Sequence, residues 1–244
     1  MRQGQIIKLN SKENKEYIRA YLVSTEGIQS VDEDPAVKRL YALLPTFRKE
    51  KVDKIKNENT KIQSVVAFGL LGYALRQASL DSECKTLQGD FYPSSPYDWD
   101  KLGYSIDEHG KPFLEKINNL YFSISHTNGM VMCAVADRPV GCDVEIINRY
   151  KVDYDINIYA QERKRLAQRF YTPVECQYID ASEEAKEVPI RFTRIWTRKE
   201  SYVKYLGLGL SKPLNEFDVF NCSPIPEVVY EDEKYIASIC VDLK

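Results

Sequence analysis

Three carboxylates and one ammonium, carried on two short motifs, are the groups in this chain whose spacing suits chemistry. In the run from Val140 to Ile147, VGCDVEII, strand periodicity puts Asp143 and Glu145 on one face and Cys142, Val144 and Ile146 on the other. Taken alone, such a pair is usually the wet face of a half-exposed strand. The second motif, WTRKESYVKYLGLGL from Trp196, changes that reading, because Trp196, Glu200 and Lys204 recur at every fourth position and form one stripe along a helix. By themselves Glu200 and Lys204 would be an exposed ion pair worth about 0.3–0.5 kcal/mol. A tryptophan on the same stripe anchors that face against the protein and turns Glu200 inward or into a cleft. If Glu200 meets Asp143 and Glu145 there, the three charges repel one another unless a cation lies among them. Oxygen-only ligation by few groups suits Mg²⁺, which keeps several waters and bridges to phosphates. The residues by themselves therefore point to a Mg²⁺–phosphate site.

Other groups carry weaker signals. His126 follows Ser125 at the end of a strand in FSISHTNG, where it is either a structural residue or a donor to a phosphate. The basic run Arg48, Lys49, Lys51, Lys54 and Lys56 reads as a solvated helix face. Gly110-Lys111-Pro112 reads as a turn and Gly207-Leu208-Gly209 as a helix cap, and neither has phosphate-loop spacing. With only His109 and His126 present, and six cysteines scattered without a Cys-x-x-Cys pair, a histidine or thiolate metal site lacks ligands.

The elements that must position these groups follow from periodicity. Leu43 to about Gln77 is helical throughout, a basic stretch running into Ile62, Val65, Val66, Leu70 and Tyr73, with apolar residues covering almost the whole circumference. Ser79 to Lys116 reads as loops and short strands. Leu120 to Ile147 reads as an antiparallel three-strand meander turned at Asn128-Gly129 and near Asp137 to Pro139. Surface helices are expected over Asp155–Phe170 and Val174–Ala185, then a helix over Phe192–Leu206 stopped by Gly207. The tail from Phe217 to Val241 alternates as a closing hairpin with its turn at Glu231 to Glu233.

The 244 residues, 43% hydrophobic and 29% charged, are ordinary globular composition, and the net charge of −2 argues against a protein that neutralises nucleic acid or anionic lipid. The longest apolar run, Val65 to Leu75, is too short to span a bilayer, and the N-terminus lacks the apolar core of a secretory signal, so a cytoplasmic protein with reduced thiols is expected. No linker or repeat divides the chain.

The ordered set Ser125-His126, GCDVE with Asp143 and Glu145, and WTRKESYVKYLGLGL with Glu200 and Lys204 resembles the 4′-phosphopantetheinyl transferases of the larger, pseudo-dimeric, surfactin-synthetase-activating type. The resemblance also takes in Gly110-Lys111-Pro112, and Arg169-Phe170-Tyr171 with Glu175, and it spans about Arg48 to Leu214. It implies an α+β fold of two similar lobes in pseudo-twofold arrangement, each a small, mainly antiparallel sheet packed with helices, with the active site in the cleft between them. The lobes would be residues 1–138, contacting the 3′-phosphate and adenine of coenzyme A, and 139–244, holding the Mg²⁺ and diphosphate and docking the carrier protein. The implied reaction transfers the phosphopantetheine arm of coenzyme A to a serine of an apo acyl or peptidyl carrier protein and releases adenosine 3′,5′-bisphosphate, serving fatty-acid, polyketide or nonribosomal peptide synthesis.

By that resemblance Asp143, Glu145 and Glu200 hold Mg²⁺, Lys204 contacts the diphosphate with Lys199 a second candidate, and Arg48, Lys51, His126 and Ser64 hold the 3′-phosphate. Gly110, Lys111, Pro112 and Ser125 line the adenine. Glu200, Glu175 or a metal-bound water accepts the proton of the carrier serine. The chain is expected to act as a monomer, without nucleic-acid or membrane partners.

Three departures stand out. Gln63, with Lys61 two residues before it, occupies a place where many members carry Arg shortly before the Ser64-like position; Ser201 replaces a common Ala at a site expected to be exposed or lightly packed; and an inserted helix around Asp155 to Arg169 bears Arg163, Lys164, Arg165 and Arg169, a stretch suited to docking an acidic carrier. The rival readings are a Mg²⁺-dependent phosphohydrolase or nuclease built on the same carboxylates, and a non-catalytic module that binds coenzyme A or a carrier.

Overall fold

The computed structural model describes residues 5–8, 17–81, 84, 99–148, 155–207, 209 and 212–242. They form a mixed α+β fold in two compact units, one running up to Val140 and the other from Gly141 to Asp242.

The first unit contains β1 (Gln5–Lys8), β2 (Ile18–Ser24), α1 (Pro35–Ala42), α2 (Thr46–Asp53), α3 (Glu58–Leu80), α4 (Trp99–Leu102), β3 (Tyr104–Ile106), β4 (Pro112–Leu114), β5 (Tyr121–Thr127) and β6 (Met130–Ala136). The helical stretch expected from Leu43 to Gln77 is two helices, because the Asn57 side chain accepts from the Thr60 amide and starts α3 afresh. α3 does bury most of its circumference, from Ile62 to Ala78, against a core shared with β6. β5 and β6 pair antiparallel around Asn128-Gly129, where Gly129 at φ 87° takes the left-handed turn.

The expected three-strand meander does not form. Every residue of β6 is buried, and its second edge pairs with β2, giving the sheet order β1-β2-β6-β5. With both edges of β6 taken, the following strand, β7 (Val140–Ile146), lies in a different sheet. Periodicity fixes which side chains share a face, but not which strand supplies the neighbour.

The second unit continues from β7 with α5 (Ile156–Phe170), α6 (Pro173–Asp180), α7 (Glu187–Leu206), a 3-10 turn at Leu214–Glu216, β8 (Glu227–Glu231) and β9 (Tyr235–Val241). Its three strands are ordered β7-β9-β8, and α7 packs across β9. Asp155 caps α5 through the Asn157 amide, and Thr172 with Glu175 forms a reciprocal capping box on α6. α6 ends at Asp180 rather than Ala185, and α7 begins at Glu187 rather than Phe192, taking Pro189 into its first turn, where no helical N–H is lost. Gly207 at φ 72° stops α7, as its position predicts. The tail forms its hairpin only from Glu227; Phe217 to Pro226 precedes it as irregular chain. Among the described residues no helix is long and apolar enough to cross a membrane.

Candidate active site

A glycine brings the two acidic motifs together. A Cβ on Gly141 would lie 2.0 Å from the Ser201 carbonyl oxygen and 2.3 Å from the Tyr205 amide nitrogen, so only glycine lets β7 lie directly on the backbone of α7. Ser201, expected to be exposed or lightly packed, is fully buried at this crossing, with its hydroxyl donating to the Arg198 carbonyl at 2.9 Å. The tolerance of a small residue there comes from close helix–strand approach, not from exposure.

The crossing determines the electrostatics. Asp143 is only 4% exposed, which excludes the wet-face reading of its strand, and its Oδ1 accepts from Lys204 Nζ at 2.7 Å. Burial alone would lower the Lys204 ammonium, yet Asp143 and Glu200 hold it above its ordinary range. Glu200, one turn before Lys204, is half-buried, and its carboxyl is pushed up first by desolvation and then by the charges of Asp143 and Glu145, with Lys204 pulling it down. All three carboxylates thus act on one locus. Trp196 completes the stripe, its ring stacked 6.1 Å from Phe192 and edge-on to Phe170 at 6.3 Å.

Among the described residues no group of three or more histidine, cysteine, aspartate or glutamate side chains is placed to hold a metal ion. A cation that keeps most of its waters needs only one or two carboxylates, so the oxygen-only donor set and its mutual repulsion fit a hard divalent ion held loosely.

Glu175 and Lys199 are placed elsewhere. Both side chains are fully buried and pair at 2.8 Å. Lys199 Nζ also donates to the carbonyls of Leu214 at 2.7 Å and Phe217 at 2.6 Å, which uses all three of its protons. Glu175 accepts in addition from the Thr172 and Val219 amides at 2.8 and 2.9 Å. Burial pushes the Lys199 ammonium down and the Glu175 pairing only partly restores it. These two side chains therefore tie α6, α7 and the segment after it together within the second unit, and neither reaches Asp143 or Lys204 through any of these bonds.

In the first unit α2 and α3 bring Arg48 and Ser64 together, Nη2 donating to the buried Ser64 hydroxyl at 2.9 Å, with the guanidinium 5.4 Å over the Phe68 ring. Burial lowers the Arg48 pKa. Lys51 lies one turn further on α2 and is exposed. Gln63 is buried, its amide donating to the Thr127 carbonyl at 2.7 Å, so the departure at this position is a bond from α3 to the end of β5. Ser125 and His126 are adjacent on β5 and point to opposite faces, Ser125 buried and His126 exposed. Gly110, Lys111 and Pro112 form the β3–β4 hairpin, where the Asp107 carboxylate accepts from the His109 and Lys111 amides and Gly110 takes φ 85°.

Residues 139–241, which hold the whole β7–α7 crossing, match the family model described as the 4′-phosphopantetheinyl transferase superfamily. The chain is 31% identical over 141 residues to a 4′-phosphopantetheinyl transferase of Bacillus subtilis, covering 55% of this chain and 57% of the relative. It is 30% identical over 128 residues to the 4′-phosphopantetheinyl transferase gsp of Aneurinibacillus migulanus, covering 52% and 47%, and 29% identical over 123 residues to the transferase HetI of Nostoc, covering 49% and 47%. The chain spans about half the length of the curated relatives it matches.

Two features of this segment depend on the β7–α7 crossing and the core behind it. The sequence signal for the first is Gly141 itself, since a glycine opening a β-branched strand marks a close backbone approach. Lys199, the second candidate for the diphosphate after Lys204, sits on the apolar stripe of Phe192, Ile195 and Val203, where a lysine needs a buried partner.

Proposed function

We propose that this protein transfers the 4′-phosphopantetheine arm of coenzyme A to a serine of an apo carrier protein, releasing adenosine 3′,5′-bisphosphate. The observation that carries the reading is the crossing of β7 and α7, where Lys204 pairs with Asp143 beside a Glu200 carboxyl held up by burial and by two neighbouring carboxylates, inside the segment that matches the family model. Asp143, Glu145 and Glu200 would hold a Mg²⁺ ion, which when bound polarises the coenzyme diphosphate as a Lewis acid.

The chain's own groups then have distinct tasks. Lys204, kept charged by Asp143, would place an ammonium against the diphosphate and compensate charge that grows on the leaving adenosine bisphosphate. Glu200, with its raised proton affinity, is the carboxylate suited to take the proton of the carrier serine at Oγ. Glu175 has its oxygens committed to three donors and is better read as a structural partner of Lys199. Arg48, Ser64, Lys51 and His126 would bind the 3′-phosphate, Arg48 being half-buried without a carboxylate pair among the described residues, and the Gly110–Pro112 turn with Ser125 would line the adenine.

This reading assigns the adenosine end of the coenzyme to the unit up to about Arg138 and the diphosphate end and carrier docking to the rest, as two similar lobes of one pseudo-twofold monomer in the cytoplasm. On α5 the docking charge rests on Arg165 and Arg169, since both are exposed while Lys164 pairs with Asp180 at 3.1 Å and Arg163 packs against rings.

The test is the intact mass of apo acyl and apo peptidyl carrier proteins after incubation with the protein, coenzyme A and Mg²⁺. The reading expects the gain of one phosphopantetheine, lost without Mg²⁺ and in Glu200→Gln. No gain on either carrier and no binding of coenzyme A would overturn it.

A further inference from the structure

The second unit contains a pocket of about 170 Å³ that the proposed reaction leaves without a task. Its walls are Glu145 at the end of β7, Arg163, Leu166 and Phe170 on α5, and Phe192 and Trp196 on α7. Apart from Glu145 and Arg163 these walls are apolar. An apolar cavity of roughly 150 Å³ is enough to take up benzene, whereas a whole drug-sized ligand needs roughly 300–1,000 Å³. The pocket therefore has room for a complete small molecule built on one ring or on a chain of about six carbons.

Arg163 gives the pocket its chemistry. Its guanidinium carbon lies 4.5 Å over the Tyr159 ring and 5.1 Å over the Phe192 ring. Stacking engages the planar face of a guanidinium and leaves the N–H groups along its edge for an acceptor lying in the same plane. Arg163 Nε is buried without a hydrogen-bond partner, and no carboxylate among the described residues pairs with the group. The half-buried arginines of α7 are not left so: Arg191 and Arg194 reach Glu187 and Glu231, and Arg198 donates to the carbonyls of Pro226 and Val219. Buried donors are almost always bonded, so a guanidinium held by rings and lacking an acceptor on a pocket wall suits a planar anion from outside the chain. Glu145 is the other charged wall, and its like charge keeps an incoming carboxylate from that end. A carboxylate on Arg163 leaves its apolar body to Leu166, Phe170 and Trp196.

We propose that this pocket binds a small free monocarboxylic acid whose body is one ring or a short chain, of the size of benzoate or hexanoate, with Arg163 holding the carboxylate. The inference goes beyond the transferase reading and stands without it, since of these walls only Glu145 enters the proposed transfer. Charge and body are recognised separately. Arg163 discriminates against the neutral amide of the same shape, and the apolar walls discriminate against acetate, which has the charge without the body. Each contrast is worth roughly tenfold or more, the first from one charge-assisted contact and the second from the buried carbons.

The experiment is calorimetric titration of the full chain at neutral pH by benzoate, hexanoate, benzamide, hexanamide and acetate. The proposal expects saturable binding of at least one of the two larger acids, roughly tenfold or more tighter than that of its amide and of acetate. Arg163→Met should bring the ratio of acid to amide close to one, and Arg163→Lys, which keeps the charge without the planar fork, should keep part of it. Leu166→Trp is the second variant: Leu166 is part-exposed, so the chain can carry the larger side chain, which fills the pocket and should weaken the acid while Arg163 stays in place. Equal affinities for acid and amide overturn the proposal, as do acetate binding as tightly as the larger acids, and no saturable binding of either larger acid. A preference for the acid that survives Arg163→Met overturns it too; should that variant not fold, undiminished binding in Leu166→Trp does so instead.

Discussion

α3 and α7 are the two long helices, 23 and 20 residues, one in each unit, and α7 buries a larger share of hydrogen-bonding side chains than α3. α3 buries Ile62, Val65, Phe68, Leu71 and Leu75, with Gln63 and Ser64 as its only buried hydrogen-bonding side chains. α7 buries Thr193, Thr197, Lys199 and Ser201 among its apolar residues, with Thr197 sharing a 2.7 Å hydrogen bond with Ser238 of β9. At its solvent side Arg194 grips Glu231 of β8 through two bonds, at 2.7 and 2.5 Å. Apolar burial is strong but has no direction, whereas hydrogen bonds fix angle and register. A helix that only fills a core can be held by the first. A helix that must aim Glu200 and Lys204 at a strand needs the second.

The sharpest way to break this comparison is to substitute one glycine from each side of it. Gly141→Ala drives a methyl into the α7 backbone, which cannot yield, so the second unit should lose on the order of 5 kcal/mol and carrier modification should vanish. Urea unfolding alongside the modification assay reads both. Next in size is Lys199→Met, which leaves the Glu175 carboxylate buried and unpaired and should cost about 3–5 kcal/mol. Adding Glu175→Gln removes that charge and should restore part of the loss; a double variant no more stable than the single would mean that the pair does not hold α7.

Glu200→Gln should act in the opposite direction on stability while abolishing transfer. Because the folded chain holds the Glu200 proton above the ordinary 4.5, it binds more protons than the unfolded chain, and stability falls as pH rises from 4.5 through the raised value. The variant lacks that slope, so its urea midpoint at pH 8 should exceed that of the unaltered protein. The smallest effect belongs to α3: at Gly69 an added Cβ meets only the tip of the Leu40 side chain, at 2.8 Å, and alanine favours the helix, so Gly69→Ala should change stability by less than about 1 kcal/mol. A large loss there would mean that α3 is held as strictly as α7.

Much of this was legible in the sequence because it is local. The Asn128-Gly129 turn, the Asp155 start of α5, the Gly207 stop of α7 and the Trp196–Glu200–Lys204 stripe all depend on residues a few positions apart. The stripe and the Asp143–Glu145 alternation were enough to suggest an acidic site. What periodicity did not carry is partnership across long separations. β2 takes the edge of β6 that β7 was expected to fill, and the first-unit helix α1 went unread. For the same reason the capping-box spacing of Glu175 after Thr172 is visible in the sequence, whereas its partners Lys199 and Val219, 24 and 44 positions away, are not.

The order β7-β9-β8 has a consequence for the life of the nascent chain. The central strand of that sheet is the last to be made, so β7, with Asp143 already in place, must wait for Tyr235–Val241 to emerge before its neighbour exists. At about 5–20 residues per second of synthesis that interval is several seconds. During it α7 has no β9 to lie on and no Ser238 for Thr197 to bind, so the acidic motifs stay apart on the ribosome. Assembly of the site is thereby timed to the synthesis of β9, while the β5–β6 hairpin and α3 of the first unit can pack long before.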